Sequence, residues 1–184
     1  SSDLAAAILC LTAMPAEAAW KSYVNRALGF SLEAPGDVKT EKATYKAAVA
    51  GLREGVKYSS KEDGIEYTAT VLDFTKDPAE GSRYMEEAAY ILQEDKNVVM
   101  NDFGRVEPGK DAVYGRKMSF DMPNNGGRKM ASVYFTRGRL YVLEALVTPQ
   151  NGDYATPDAG RFNDSIAFIL SRSEPGSIEL GMPK

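Results

Sequence analysis

The sequence predicts an α+β domain in which helices pack on an antiparallel β-sheet. Extended runs come first along the chain, a helical segment follows, and a further set of extended runs leads to a second helical segment. Grouped strands between single helices are typical of this class, whereas strict alternation of strands and helices would indicate a parallel sheet. The run at 140–147 is apolar on both of its faces, so we expect both faces of the sheet to be covered there.

The first half of the chain carries the signals of extended segments. Apolar side chains alternate with a period of two before the break at Pro35-Gly36, at Leu28, Phe30, Leu32 and Ala34. Residues 38–50 are a mixed second candidate. The pair Asp63-Gly64 supplies the positive φ angles that a tight turn requires, which predicts a hairpin between 56–58 and 65–74.

Two segments carry helix start signals. The sequence Asp77-Pro78-Ala79-Glu80 places an Asp at the N-cap position and a Pro directly after it, which predicts a helix from there to about Glu94. Thr156-Pro157 predicts a second helix by the same reasoning. Each helix has one apolar stripe at helical spacing: Tyr84, Met85, Ala88, Ile91 and Leu92 in the first, and Phe162, Ile166, Ile169 and Leu170 in the second.

Three extended runs lie between the helices, at 111–121, 128–136 and 139–148. The loop 124–127 (NNGG) and the turn Arg137-Gly138 join them into an antiparallel meander. The chain is therefore expected to form a single domain over residues 19–170, followed by a loosely ordered tail over 171–184.

Composition excludes several classes of function. The 184 residues carry a net charge of −4, which gives no electrostatic basis for binding nucleic acid. The chain has no His and one Cys, so it cannot form a Ser-His-Asp triad, an imidazole zinc site or an internal disulfide. We expect no metal, no cofactor and no enzymatic activity.

The first eighteen residues have the features of a signal peptide. A short apolar core, LAAAILCLTA, is followed by Pro15 and by the small-residue pattern Ala16-Glu17-Ala18, which predicts cleavage after Ala18. The core is far shorter than the ~20 residues that span a bilayer, so no membrane span is expected. The alternatives are a short helix of the domain, or a lipid anchor on Cys10, which Leu9 disfavours. Export to the periplasm or the exterior follows.

Short motifs recur in a fixed order: Trp20-Lys21-x-Tyr23, Gly29-Phe30-Ser31-x-x-x-Pro35, Thr70-Val71-x-Asp73-Phe74, Gly138-Arg139-x-Tyr141 and Arg161-Phe162-x-x-Ser165-Ile166. Over most of 20–170 the chain resembles small exported proteobacterial proteins with a PsbP/Mog1-like fold. The resemblance implies an antiparallel β-sheet between helical layers, an α/β/α sandwich. Its members are associated with photosystem II assembly or with a nuclear-transport GTPase, so it implies no shared catalytic residue.

Adjacent carboxylates are the only visible candidates for acid–base chemistry, at Glu62-Asp63, Glu86-Glu87 and Glu94-Asp95. Neighbouring side chains point in different directions, so a solvated helix face or a turn explains these pairs, and no catalytic residue is predicted.

The meander predicts one row of tyrosines. If Thr136 faces Arg139, then Tyr134 lies opposite Tyr141, and if Asp121 faces Gly127, then Tyr114 lies opposite Tyr134, with Arg116 in the next row. Such a row either stabilises the sheet beneath a helix or forms a wall that binds a ring or an acidic group. The candidate ligand-binding residues are Tyr114, Tyr134, Tyr141 and Arg116.

These observations favour an exported, non-catalytic binding or assembly module whose partner is another envelope protein or a small ligand. The alternatives are a carboxylate-dependent hydrolase acting on envelope carbohydrate, and a structural envelope protein with no small ligand.

Overall fold

The computed structural model of the protein describes residues 19–106, 112–168 and 176–184. The predicted signal peptide and the helical stripe residues Ile169 and Leu170 lie outside this part of the chain. Of the described residues, 53% lie in strands and 16% in helices, so the protein is mostly β.

Ten strands and two α-helices make up the described part of the chain. The strands are β1 (Trp20–Asn25), β2 (Phe30–Pro35), β3 (Lys39–Ala47), β4 (Gly51–Glu62), β5 (Ile65–Asp73), β6 (Asn97–Val106), β7 (Val113–Asp121), β8 (Arg128–Thr136), β9 (Arg139–Val147) and β10 (Ile178–Glu179). The helices are α1 (Gly81–Gln93) and α2 (Pro157–Asp164). A 3-10 turn at Pro123–Asn125 joins β7 to β8.

Seven strands form the main sheet, in the order β3-β4-β5-β9-β8-β7-β6. All of its neighbouring pairs are antiparallel. Both predicted tight turns are confirmed, since Asp63 and Gly64 have φ angles of 48° and 72°, and Arg137 and Gly138 have φ angles of 51° and 71°. The meander of β7, β8 and β9 is confirmed as well.

The two faces of the main sheet are covered differently. Helix α1 packs across β7, β8 and β9 on one face and encloses a core that includes Phe74, Tyr84, Phe120 and Leu140. The small sheet β10-β1-β2 and helix α2 cover the other face, where Phe30 packs. As expected, the run at 140–147 is covered on both sides, with six of its residues buried.

The predicted sandwich, with the sheet between helical layers, is wrong. In the described residues there is one helix of 13 residues on the first face and one of 8 residues on the second. The second face is covered by α2 together with β1 and β2, which pair with each other and not with the main sheet. The alternation at 28–35 indicated a strand, but it could not tell which sheet the strand would join, because a half-buried strand has the same pattern in either position.

Helix α1 begins later than predicted. Asp77 is not its N-cap; the cap residue is Glu80, without a side-chain cap bond, and the first helical residue is Gly81. The Asp77 carboxylate accepts hydrogen bonds from the Tyr84 hydroxyl at 2.8 Å and from Arg53 at 3.0 Å. A Cβ atom at Gly81 would lie 2.3 Å from the Phe135 ring, so the helix can approach the sheet there only through glycine.

Helix α2 begins where the sequence predicts. The Thr156 hydroxyl accepts a bond from the Asp158 amide, and Pro157 is the first helical residue. Asn163, which is fully buried, anchors the helix on the sheet because its side chain accepts a hydrogen bond from Ser132 at 3.0 Å.

The described part of the tail contacts the small sheet. Ile178–Glu179 pairs parallel to β1, and the Leu180 amide donates to the Val24 carbonyl at 2.7 Å. The buried Asn25 side chain donates both to the Leu180 carbonyl and to the Tyr58 hydroxyl. A loosely ordered tail over 171–184 stays a prediction. Among the described helices, none has the length and apolar character needed to cross a membrane.

Candidate functional site

The predicted tyrosine row is correct for one pair and displaced by one residue for the other. Tyr134 lies opposite Tyr141, as predicted. Across β7, however, Tyr134 lies opposite Gly115, and Asp121 lies opposite Arg128, so the predicted pairing of Tyr114 with Tyr134 is wrong. A shift of one residue moves a side chain to the other face of a sheet. Tyr114 and Arg116 therefore lie on the α1 face.

Tyr134 and Tyr141 belong to the core on the face away from α1. They are 1% and 2% exposed, and both rings pack against Phe168, with centroid distances of 5.8 and 4.8 Å. The Tyr141 hydroxyl donates to the Leu28 carbonyl at 2.6 Å, and burial raises the pKa of Tyr134 to about 12. These two rings stabilise the packing between the sheets and line no open surface.

Gly115 on β7 takes the place opposite Tyr134 that the sequence prediction assigned to Tyr114, and Gly104 on β6 lies beside it. A Cβ atom at Gly115 would lie 2.5 Å from the Tyr134 ring, and one at Gly104 would lie 2.8 Å from the Tyr134 hydroxyl. The Tyr134 ring therefore lies across the backbones of β7 and β6, whose glycines pair with each other. The Tyr134 ring thus packs against β6 where that strand has no side chain, next to the backbone pairing between β6 and β7.

Strand β6 is the last strand of the main sheet beside this contact and pairs only with β7 among the described residues; nine of its ten residues are not buried. Four of its large apolar side chains, together with that of Tyr114 on β7, are between 38% and 73% exposed, with Phe103 the most exposed of them, whereas Val106 is half-buried. We call this set the β6 surface: Val98, Val99, Met100, Phe103 and Tyr114. Isolated exposed apolar residues are common, but five on one edge are characteristic of an interaction site.

The backbone of β6 is irregular at one end and regular at the other. Its register shifts between Val98 and Met100, where Val99 has no partner on β7, which is the pattern of a β-bulge. From Met100 to Val106 the pairing is continuous. The Phe103 amide donates to the Asp102 side chain at 2.7 Å, so this N–H points away from β7 toward the open edge.

Arginine side chains flank the exposed rings. The Arg116 guanidinium lies over the Phe103 ring, 4.6 Å from its centroid, and donates to Glu86 on α1 at 3.0 Å. Arg105 lies over Tyr114, 5.7 Å from the ring centroid. Such cation–π contacts hold the rings in position at the surface. The predicted candidates Tyr114 and Arg116 are thus brought together, but with Phe103 instead of with the other two tyrosines.

Sequence reasoning missed Phe103 and the rest of β6. The sequence predicts no element for this segment, because its exposed apolar residues show neither the alternation of a half-buried strand nor helical spacing. The β-branched pair Val98-Val99 after the end of a helix was a signal of strand formation that could have been used.

A separate groove of about 410 Å³ lies between β3, β4, β5 and the C-terminal residues Met182 and Pro183. Its wall combines apolar residues with two carboxylates and two cations: Glu54, Asp73, Lys42 and Arg139. Hydrogen bonds from the Thr75 hydroxyl and amide hold the pKa of Asp73 below its usual value. This carboxylate is therefore ionised at neutral pH and is not suited to the role of general acid.

The carboxylates of the pair Glu86-Glu87 have structural partners. Glu86 pairs with Arg116, whereas Glu87 accepts from the amides of Val49 and Ala50 in the β3–β4 turn, at 2.6 and 2.8 Å. Within the described residues, no three His, Cys, Asp or Glu side chains come together in a way that could hold a metal ion.

The architecture defines a class: an antiparallel β-protein whose main sheet is covered by a small second sheet and two short helices. No known family model matches the sequence, and no curated protein matches it either. In three dimensions the chain is similar to the solution structure of cyanobacterial PsbP (CyanoP) from Synechocystis sp. PCC 6803. The two share 12% sequence identity with a TM-score of 0.51, over 87% of this chain and 97% of that one. The protein therefore has a PsbP-like fold, which confirms that part of the resemblance.

Proposed function

We propose that this protein is an exported, non-catalytic binding module that docks an extended segment of a protein chain along β6. The observation that carries the proposal is the exposure of the β6 surface along a sheet edge that pairs with no other described strand and is regular from Met100 onward. An open edge offers backbone N–H and C=O groups to an added strand, and neighbouring side chains provide the specificity.

The opposite edge of the sheet supports this choice. Strand β3 carries three lysines and one glutamate along its nine residues, and each of its apolar residues is small or partly buried. Lysines on an edge strand prevent pairing with other chains, because pairing would bring unpaired charges together and remove them from water. Strand β6 has one aspartate and one arginine in ten residues, so it lacks that protection.

Export is proposed from the sequence of residues 1–18, whose apolar core and small-residue pattern are those of a signal peptide. The chain expressed with its native upstream residues should be processed between Ala18 and Ala19. N-terminal sequencing of the secreted or periplasmic form tests this, and a processed protein that keeps residues 4–13 would contradict it.

Docking is tested by placing a photo-crosslinking amino acid at Phe103 in cells of the native organism. The control places the same amino acid at Lys46, which is exposed on β3. We expect covalent adducts from position 103 and none from position 46, with mass spectrometry mapping the crosslinked peptide to one extended segment. Equal labelling at both positions, or no adduct at position 103, would overturn the proposed docking function.

A further inference from the structure

We infer that the chain docked on β6 is a second copy of this protein, added antiparallel to β6 about a two-fold axis at Phe103. The inference rests on the proposed docking function and names its partner. The result is one continuous sheet of fourteen strands, twice the seven of the main sheet.

The regular part of β6 is symmetric about Phe103. It runs from Met100, directly after the bulge, to Val106, and Phe103 is its central residue. A two-fold axis perpendicular to the sheet and centred there would pair all seven of these residues with the second copy. The same operation keeps the α1 faces of both copies on one side, as a continuous sheet requires.

The side chains that this axis brings together are compatible in every row. On the α1 face, Phe103 meets Phe103 of the second copy, and Asn101 meets Arg105. On the other face, Met100 meets Val106, and Asp102 meets Gly104. Apolar groups oppose apolar groups, and no like charges lie opposite each other. Directly opposed side chains have Cβ atoms about 5 Å apart, which is close enough for the two phenylalanine rings to bury each other.

Neighbouring registers are less favourable. Moving the axis to Asp102 places that carboxylate opposite its own copy, and like charges in opposed positions destabilise a strand pair. Moving it to Gly104 leaves only the five residues 102–106 paired within the strand and puts each Phe103 opposite a polar side chain. The register centred on Phe103 is therefore the one that both charge and strand length favour.

One backbone N–H on the outer edge of β6 has a side-chain acceptor that a backbone carbonyl of the second copy can replace. The Phe103 amide points outward and is satisfied by the Asp102 carboxylate. In the strand pair this amide would donate instead to the Phe103 carbonyl of the second copy, so each copy exchanges a local bond for a backbone bond. No buried donor or acceptor is left without a partner at the centre of the interface.

The test is to measure the mass of the purified full chain in solution over a range of concentrations by light scattering and sedimentation. Phe103→Ser removes the central ring, whereas the control Leu52→Ser removes a similarly exposed apolar side chain, 67% against 73% exposed, on β4. We expect a dimer, at least about tenfold weaker association for Phe103→Ser, and no change for Leu52→Ser. Thermal unfolding confirms that both variants fold.

Disulfide trapping tests which residues of the two copies lie opposite each other. The chain has a single cysteine, Cys10, so all variants carry Cys10→Ser. Phe103→Cys should form a covalent dimer on oxidation, because opposed residues fall within disulfide range. Arg105→Cys should not, since each residue 105 would lie four residues, about 13 Å, from its copy.

The outcomes separate the inference from the proposed function. A dimer that Phe103→Ser does not weaken, or one that crosslinks at 105 and not at 103, would overturn the inference. A protein that stays monomeric at about 1 mM would also overturn it. In that case, in-cell adducts between position 103 and a different polypeptide would leave the docking function standing, whereas an absence of any adduct would remove both.

Discussion

The two edges of the main sheet are built on different principles. Strand β3 is protected by charge, with Lys39, Lys42 and Lys46 along it and Glu41 paired to Lys57 on β4 at 2.8 Å. Strand β6 has a bulge at one end and carries four exposed apolar side chains, those of Val98, Val99, Met100 and Phe103. An exposed edge is an aggregation risk that proteins normally suppress. The two edges therefore differ in how strongly they oppose pairing, since β3 carries three lysines and β6 carries exposed apolar side chains.

Two neighbouring carboxylates of helix α1 make contacts toward the two edges of the main sheet. Glu86 forms an ion pair with Arg116, whose guanidinium covers the ring of Phe103 on β6. Glu87 instead accepts hydrogen bonds from two backbone amides of the turn that follows β3. The sequence presents these two glutamates as a possible acid–base pair. The structure shows them directed to opposite ends of the sheet.

The largest expected loss of stability comes from adding a side chain at Gly115 on β7, where the Tyr134 ring packs against the backbone. In Gly115→Ala the new methyl group would lie 2.1 Å from the Val133 carbonyl oxygen, which the backbone cannot relieve locally. We expect a loss of about 1–3 kcal/mol or more in the free energy of unfolding. Gly160→Ala in α2, where nothing lies within 4 Å, should instead stabilise by up to about 1 kcal/mol. Urea denaturation of both variants distinguishes them, and equal midpoints would contradict the close packing of β7 against β8 at Gly115.

The second prediction concerns the lysines that protect the β3 edge from pairing with other chains. Lys42→Val with Lys46→Val should give the protein two open edges, and head-to-tail pairing of different edges does not close. We expect self-association at least about tenfold tighter, or about 1.4 kcal/mol, with species larger than a dimer in sedimentation. The matched variant with glutamine at both positions keeps the edge polar and should associate less than the valine variant. Valine variants that behave as the native chain would show that these lysines do not protect the edge.

The third prediction compares the two glutamates of α1. Glu87→Ala leaves the Val49 and Ala50 amides without their acceptor, and Ala50 is buried, so we expect a loss of about 1–2 kcal/mol. Glu86→Ala breaks only a partly exposed ion pair and should cost between about 0 and 1 kcal/mol. Both losses are measured from the midpoints of denaturant unfolding, provided that the dependence of the unfolding free energy on denaturant is the same in all variants. A larger loss for Glu86→Ala would reverse the assignment of the two side chains.

The smallest effect is a pH dependence at each edge. Hydrogen bonds from Arg128 and then Asn97 hold the pKa of Asp121 below its ordinary 3.8, and a bond from Lys57 holds that of Glu41 below 4.5. A lowered pKa in the folded state means that each carboxylate contributes stability above its ordinary pKa and loses it as the pH falls through the folded value. Acid should therefore loosen the start of β6 and the β3–β4 pair.

Hydrogen exchange locates these two effects. Asp121→Asn should remove the acid-induced increase in exchange near Asn97 and leave β3 unchanged, and Glu41→Gln should do the reverse. If either substitution altered both edges equally, the effect would be global and the local anchoring would be disproved.

Local chemistry made parts of this fold predictable. Asp63-Gly64 and Arg137-Gly138 are the turns observed, and Thr156-Pro157 begins α2, because turn and cap preferences depend on a few adjacent residues. The same reasoning failed at Asp77, whose carboxylate is taken by Arg53, 24 residues away, and by Tyr84. It also failed for the β7–β8 register, where the loop contains a 3-10 turn with Asn124 and Asn125 at positive φ.

The candidate site was only half predictable for a related reason. Arg116 and Tyr114 were named from the meander, but with the wrong neighbours, since one residue of register decides which face a side chain occupies. Phe103, the centre of the β6 surface, was not named at all. A strand exposed on both faces leaves no burial pattern in its sequence.

The hairpins, the meander, the start of α2 and the coverage of both faces at 140–147 can be predicted from the chain alone, because each depends on residues close together in sequence. Three other features become visible only in the folded chain: residues 20–35 belong to a separate covering sheet, β6 lies at an edge of the main sheet, and Glu86 and Glu87 face opposite edges. Those features depend on contacts between segments far apart in sequence, where the free energy of burial, and not local preference, selects the partner.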